Sequence, residues 1–129
     1  MISAADVDTF LALGACRPFD RLTESELLLV SRHVHRRSHA GGEVVLPAGL
    51  AAERLVVVVG GTVLCGGRPA PAVFDAQSAL FGLPVRADYV AAPEGVETLC
   101  LAKPHLFTIA RECPDFIVGL AAERARDRA

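Results

Sequence analysis

The chain lacks a long hydrophobic run and an excess of basic residues, and each absence excludes a class of protein. No segment reaches the roughly 18 consecutive apolar residues that a membrane-spanning helix needs, so no membrane association is expected. The opening MISAADVDTF has no basic residue and no long apolar run, so we expect a cytoplasmic protein without a secretory signal. The formal net charge of −2 gives neither nucleic acid nor an anionic membrane an attractive surface.

Closely spaced cysteines are also missing. Cys16, Cys65, Cys100 and Cys113 are far apart and form no CxxC pair, the spacing that zinc and iron–sulfur sites use. We expect four reduced, mostly buried thiols, with a regulatory disulfide or redox thiol as the alternative. No serine lies in a nucleophile-elbow motif, and no pair of carboxylates is marked out for acid–base chemistry. The sequence therefore predicts no cofactor and no enzymatic activity.

The residues that are present describe one folded domain. With 129 residues, of which 52% are apolar, the chain can bury a core without disulfides or metal. The capping box Thr23-Glu-Ser-Glu26 predicts a helix from about Thr23 to His33. Strands are predicted at Glu43–Leu46 and at Leu55–Val59. Gly60-Gly61 then predicts a turn, with residues 62–65 as the hairpin partner.

The second half predicts more short strands and two closing helices. The predicted strands are Val73-Phe74, residues 89–91 and residues 96–101, and the first closing helix covers residues 104–111. A second helix opens at Pro114, with Phe116, Ile117 and Leu120 on its apolar face. Short strands punctuated by glycine and proline indicate a β-sandwich or jelly roll. The fold class is therefore α+β, a jelly roll flanked by N-terminal and C-terminal helices.

Three segments carry a resemblance to a known family. PFDRLTESELLLVSRHVHRR resembles the opening helix and first strand of the cyclic nucleotide-binding domains found in catabolite activator-type regulators. AGGEVVLPAGLAAERLVVVVGGTV resembles their glycine-framed hairpin, and AAPEGVETLCLAKPHLFTIARECPDF resembles their closing strand and final helices. The resemblance covers residues 17–120 of a single domain 1–129, with an N-terminal helix in 1–16 and a helical tail in 121–129.

The ligand loop departs from this family in FGLPVRADYVAA, residues 81–92. In the family, Phe-Gly-Glu leads into a short helix, and about ten residues later an Arg precedes a hydroxyl residue and Ala. The resemblance implies that the Glu accepts a hydrogen bond from the ribose hydroxyl. It also implies that the Arg and nearby backbone N–H groups bind the cyclic phosphate. Phe81, Gly82 and Arg86 match this pattern, whereas Leu83 and Ala87 replace the Glu and the hydroxyl residue. Too few residues separate Gly82 from Arg86 for the helix, and Pro84 offers no N–H.

These departures predict that cyclic nucleotide binding is lost. Asp88 would also place a negative charge beside the expected phosphate. The leading hypothesis is a stand-alone, non-enzymatic regulatory or protein-interaction module. The alternative is a sensor of a cyclic nucleotide or another small anion, with Phe81, Gly82, Arg86 and Ala87 as its ligand-binding residues.

We expect the partner to be a protein rather than nucleic acid. Residues after 120 leave no room for the helix-turn-helix domain that follows in the family's transcription factors. We expect an uncovered apolar rim around Phe81, Leu83 and Pro84. The predicted partner surface consists of Leu83 and Pro84 of this rim, together with Phe116, Ile117 and Leu120. A homodimer formed through these residues is the alternative.

A third hypothesis is a cupin-like metalloenzyme that uses the histidines of RHVHRRSHAGGE. His33 and His35 would be its ligands, with His39 nearby, because His-x-His on a strand places both rings on one face. A cupin would place a Glu about four residues after such a pair, whereas here Glu43 comes later. The neighbouring Arg32, Arg36 and Arg37 would repel a cation, so we expect a solvated basic edge and no metal.

Overall fold

The structure, a computed structural model, describes residues 4–17 and 19–127. It begins with two helices, and the second starts at the predicted capping box. The Thr23 hydroxyl accepts a hydrogen bond from the Glu26 N–H (3.2 Å), and the Glu26 carboxylate accepts one from the Thr23 N–H (2.9 Å). The helices are α1 Ala4–Gly14, α2 Glu24–Ser31, α3 Ala76–Phe81, α4 Lys103–Glu112 and α5 Pro114–Asp127. The strands are β1 Val34–His39, β2 Val44–Leu46, β3 Arg54–Cys65, β4 Arg68–Pro69 and β5 Tyr89–Ala102.

β5 is the central strand of an antiparallel sheet with the order β1-β5-β3-β4, and β2 also pairs with β5. Both faces of β3 and β5 are covered over much of their length, so Val56 and Val57 are both buried, as are Cys100 and Leu101. This explains the continuous apolar runs in the sequence, because a strand buried on two faces does not alternate.

The predicted turn at Gly60-Gly61 is wrong, because β3 continues through it. The two glycines lie where the register between β3 and β5 shifts. Gly61 has φ +80°, and a Cβ there would lie 2.4 Å from the Gly95 carbonyl oxygen. The Gly-Gly pair thus permits a bulge and a close backbone crossing, a use of glycine that a sequence pattern does not distinguish from a turn. The chain reverses later, at Gly66-Gly67, between β3 and β4.

Two other predicted strand boundaries differ from the structure. The predicted strands at 89–91 and 96–101 are one strand, β5, which bends at Gly95 (φ +85°). Val73-Phe74 forms only an isolated bridge, from Val73 to Val57. Pairing with β1 on one side and β3 on the other keeps β5 continuous.

The closing helices complete the core. The Phe116 ring packs against the Phe19 ring with centroids 5.1 Å apart, and α5 contacts α3 and α4. Phe116 and Leu120 are 1% and 2% exposed, so their assignment to a partner surface is corrected: they are core residues that no partner can reach in the folded chain. Ile117 is half-buried against the same core. The observed fold is α+β, a jelly roll with flanking helices, as predicted.

Candidate ligand-binding cassette

A short helix precedes, in sequence, the loop at residues 82–88 that the sequence analysis identified. α3 covers Ala76–Phe81, and Gly82 ends it in a left-handed conformation (φ +70°), with its N–H donating to the Ser78 carbonyl (3.0 Å). Phe81-Gly82 therefore closes a helix instead of leading into one. The prediction that the cassette helix is missing is wrong, because the helix lies on the other side of these two residues. Its six residues make no side-chain cap hydrogen bond, so no local signal marked its start.

The position of α3 changes which residues of this chain correspond to the family's Phe-Gly-Glu. Phe74-Asp75-Ala76 leads into the helix, and Arg86 follows Ala76 by ten residues, the spacing of the family pattern. Asp75 then takes the place of the glycine and Ala76 that of the glutamate. Asp75 is the one non-glycine residue with a positive φ (+51°) in the described ranges, so the backbone keeps a conformation that glycine adopts more readily.

The loop after α3 holds Arg86 at the surface. Val85, just before it, is buried; its N–H donates to the Leu50 carbonyl (3.0 Å), and its carbonyl accepts from the Gly49 N–H (2.8 Å). The Asp88 carboxylate accepts a hydrogen bond from the Ala48 N–H (2.7 Å). Asp88 therefore anchors the loop, a role that its place beside the expected phosphate did not reveal. Arg86 and Ala87 are exposed, Arg86 at the family's distance from the start of α3.

The two ends of the cassette are joined by an aromatic stack. The rings of Phe74 and Tyr89 lie with centroids 4.2 Å apart and planes 18° from parallel. Phe74 is buried and precedes α3, and Tyr89 begins β5. Such contacts add about 0.5–1.5 kcal/mol beyond area burial. This stack holds together the two ends of the segment that contains α3 and Arg86. The spacing of Phe74 and Tyr89 in the sequence does not predict the contact.

The predicted rim residues are exposed around this loop. Leu83 is 47% exposed, Phe81 is 63% exposed and Leu50, on the facing loop, is 68% exposed. Pro84 is exposed and forms an isolated bridge with Ala51. The two loops thus bring their apolar side chains to one edge of the domain. Sequence reasoning placed Phe81, Leu83 and Pro84 there but missed Leu50.

The histidines proposed as metal ligands make separate contacts. His33 stacks on His105 of α4, with ring centroids 4.4 Å apart, and His35 is exposed on β1. His39 is buried; its Nδ1 lies 2.5 Å from a Glu43 carboxylate oxygen and its Nε2 lies 3.2 Å from the Thr98 hydroxyl. No three metal-ligating side chains come together within the described residues.

The His39 network is the main polar feature that the sequence did not reveal. Thr98 is fully buried, and its hydroxyl lies 3.6 Å from the Cys100 sulfur. Together with Glu43, these residues link the β1–β2 turn to β5 through side chains that have few other partners. The four-residue spacing of His39 and Glu43 across Gly41-Gly42 was the available signal, but only the sheet register brings Thr98 beneath the imidazole.

The cysteines are free thiols. Burial raises the pKa of Cys113 to about 11, and the neighbouring Glu26 carboxylate adds to this effect. Burial also raises the pKa of Cys16, helped by the negative charge of Asp20. A thiol with a raised pKa is a poor nucleophile at neutral pH, so neither residue resembles a reactive cysteine.

No family model and no curated protein matches this sequence, but solved structures do match the fold. The regulatory domain of Toxoplasma gondii protein kinase A, crystallised with cAMP, superimposes with a TM-score of 0.70 over 83% of this chain at 17% identity. The catabolite activator protein of Thermus thermophilus gives 0.71 over 84% at 26% identity. A cyclic nucleotide-binding-like protein of Brucella abortus gives 0.66 over 81% at 19% identity.

The matched lengths differ among these structures. This chain spans 45% of the kinase regulatory domain and 56% of the catabolite activator, but 98% of the Brucella protein. In the part of the chain that the structure describes, no helix is long and apolar enough to cross a membrane. The helices, the sheet and the neighbours agree: this chain has the fold of the cyclic nucleotide-binding domains, and the resemblance in its sequence is confirmed.

Proposed function

We propose that this chain is a non-enzymatic regulatory module that has lost cyclic nucleotide binding of the family's usual kind and acts through a protein partner. The observation that carries the proposal is the start of α3. The family's ribose acceptor is a glutamate about ten residues before its arginine, and counting back ten residues from Arg86 gives Ala76, the first residue of α3. A methyl group accepts no hydrogen bond. Asp75 adds a carboxylate where the family has a glycine without a side chain.

The energies support a large loss of affinity. A hydrogen bond to a charged group is worth about 1.5–3 kcal/mol, and about 1.4 kcal/mol is tenfold in affinity. Losing the ribose acceptor and the hydroxyl at Ala87, and adding a negative charge at Asp75, should together weaken binding by several orders of magnitude. Arg86 alone, exposed and screened by water, restores little of that.

Arg86 favours one other candidate function, a sensor that binds a small anion in a rearranged site. It lies ten residues after Ala76, and its guanidinium suits a phosphate or carboxylate. This candidate and the main proposal differ in one measurable property, the affinity for cyclic nucleotides.

Isothermal titration calorimetry with cyclic AMP and cyclic GMP tests the proposal. The wild-type chain should give no measurable heat of binding at millimolar nucleotide. The double variant Asp75→Gly, Ala76→Glu restores the family residues and should bind at least about tenfold more tightly than wild type. Adding Arg86→Gln to that variant should abolish the gain.

Tight binding by the wild-type chain would contradict the loss of cyclic nucleotide binding and favour the sensor. A double variant that stays inactive, although folded by circular dichroism, would show that Ala76 does not occupy the acceptor position. In either case the protein partner is tested separately, by Leu83→Asp at the exposed edge of the domain.

A further inference from the structure

The loop between β2 and β3 borders an open cavity whose lining contains no residue of the cassette. Its volume is about 520 Å³, and it is lined by residues 46, 47 and 50–54. Small-molecule sites in proteins have volumes of about 300–1,000 Å³ and are mostly apolar, with a few polar groups that orient the ligand. The cavity has this size, and Leu46, Pro47 and Leu50 give it this character.

The loop around the cavity is held in place by three other parts of the fold. Its backbone donates to the segment after α3 and to α3 itself, and it accepts from the first residue of α4. These bonds are Ala48 N–H to Asp88 (2.7 Å), Gly49 N–H to the Val85 carbonyl (2.8 Å), Ala52 N–H to the Ser78 hydroxyl (2.7 Å) and Lys103 N–H to the Glu53 carbonyl (2.9 Å). A cavity fixed in this way needs little reorganisation to bind a ligand.

Arg54 supplies the polar group. It is half-buried at the start of β3 and lines the cavity. Its Nε is buried and has no hydrogen-bond partner among the residues described, and no carboxylate of those residues forms an ion pair with its guanidinium. A cation that is partly removed from water without a counter-charge is unfavourable. An anion in the cavity would supply that counter-charge.

The other lining residues define what kind of anion fits. Glu53 is exposed and lines the same cavity, so its carboxylate repels every negative charge of a ligand beyond the one that Arg54 neutralises. A single carboxylate can face Arg54, and a short aliphatic tail can lie against Leu46 and Leu50. We propose that this cavity binds a small monocarboxylate with an aliphatic tail, through its charge to Arg54 and its tail to the apolar side of the loop.

A titration of the full chain followed by two-dimensional amide NMR tests this site, with hexanoate as the probe. Saturable shifts should be centred on the amides of residues 48–54. Hexan-1-ol, which has the same tail without the charge, and inorganic phosphate, which has more charge without the tail, should each bind at least about tenfold more weakly. Equal affinities for hexanoate and hexan-1-ol would overturn recognition of the carboxylate. Tighter binding of phosphate than of hexanoate would overturn recognition of the aliphatic tail.

Three variants test whether Arg54 and Leu50 form the hexanoate site. Arg54→Gln should weaken hexanoate binding at least about tenfold, and Arg86→Gln, the matched control at the cassette, should leave it unchanged. Leu50→Asp changes an exposed residue and should also expel hexanoate while keeping the fold, which covers the case in which Arg54→Gln unfolds. Binding that survives both Arg54→Gln and Leu50→Asp, or that disappears in Arg86→Gln, would overturn the proposal. The cyclic nucleotide titration reads out a different site, so either proposal can fail without the other.

Discussion

The sheet of β3 and β5 and the cassette between Phe74 and Asp88 obey different constraints. Along the sheet, most residues are buried or half-buried, and Gly61 and Gly95 lie where two backbones cross. Along the cassette, α3 is short, and Phe81, Leu83 and Arg86 are exposed. The sheet therefore determines the fold through packing, whereas the exposed cassette residues can change with little cost to stability. This difference explains how the chain keeps the family's fold at low identity while its ligand residues depart from the family's pattern.

The largest effect is expected where the two backbones cross. Gly61→Ala combines a positive φ with a Cβ 2.4 Å from the Gly95 carbonyl oxygen, and should lower the free energy of unfolding by about 3 kcal/mol or more. Gly67→Ala is the matched control: its φ is +78°, but nothing lies within 4 Å of the added Cβ, so only about 1–2 kcal/mol should be lost. Urea unfolding measures both. Equal losses in the two variants would mean that the positive φ alone, and not the close contact with the Gly95 carbonyl, destabilises Gly61→Ala.

A smaller effect is expected in the buried polar network. His39→Ala removes the hydrogen-bond partner of Thr98 and leaves a cavity beneath the β1–β2 turn, which should cost about 2–3 kcal/mol. His35→Ala, at an exposed position of the same strand, should change stability by no more than about 0.5 kcal/mol. Thermal unfolding of the two variants distinguishes them. A His39→Ala variant as stable as His35→Ala would show that the network is not needed by the sheet.

The smallest effect on stability is expected at the cassette edge. Leu83→Asp places a charge on a residue that is 47% exposed and should change the free energy of unfolding by less than about 0.5 kcal/mol. Val85→Asp, two residues later and 2% exposed, should unfold the chain, since an unpaired charge would be buried. Under the proposed function, Leu83→Asp should also weaken binding of a protein partner. If Leu83→Asp unfolds the domain, Leu83 is a core residue and the proposed surface fails.

Much of the fold was predictable because its signals are local. The capping box at Thr23 started α2, and Pro114 began α5, since both act within one helical turn. The glycine-framed strands and closing helices were sufficient for the family resemblance, which the solved structures confirmed. Composition and charge likewise follow from the sequence, and the absence of a nucleic-acid surface that they predict stays a prediction.

Other features were decided by tertiary contacts. Gly60-Gly61 has the pattern of a turn, but pairing with β5 over both of its halves kept β3 continuous. α3 has no cap signal, and its place before Gly82 depends on Ser78 bonding to Ala52 in a distant loop. The register that we propose, in which Ala76 replaces the acceptor, therefore could not be inferred from residues 81–92 alone. The sequence by itself determined the domain and its fold class, through periodicity and caps. The bulges, the cassette register, the His39 network and the Arg54 cavity depend on residues far apart in sequence that only the folded chain brings together.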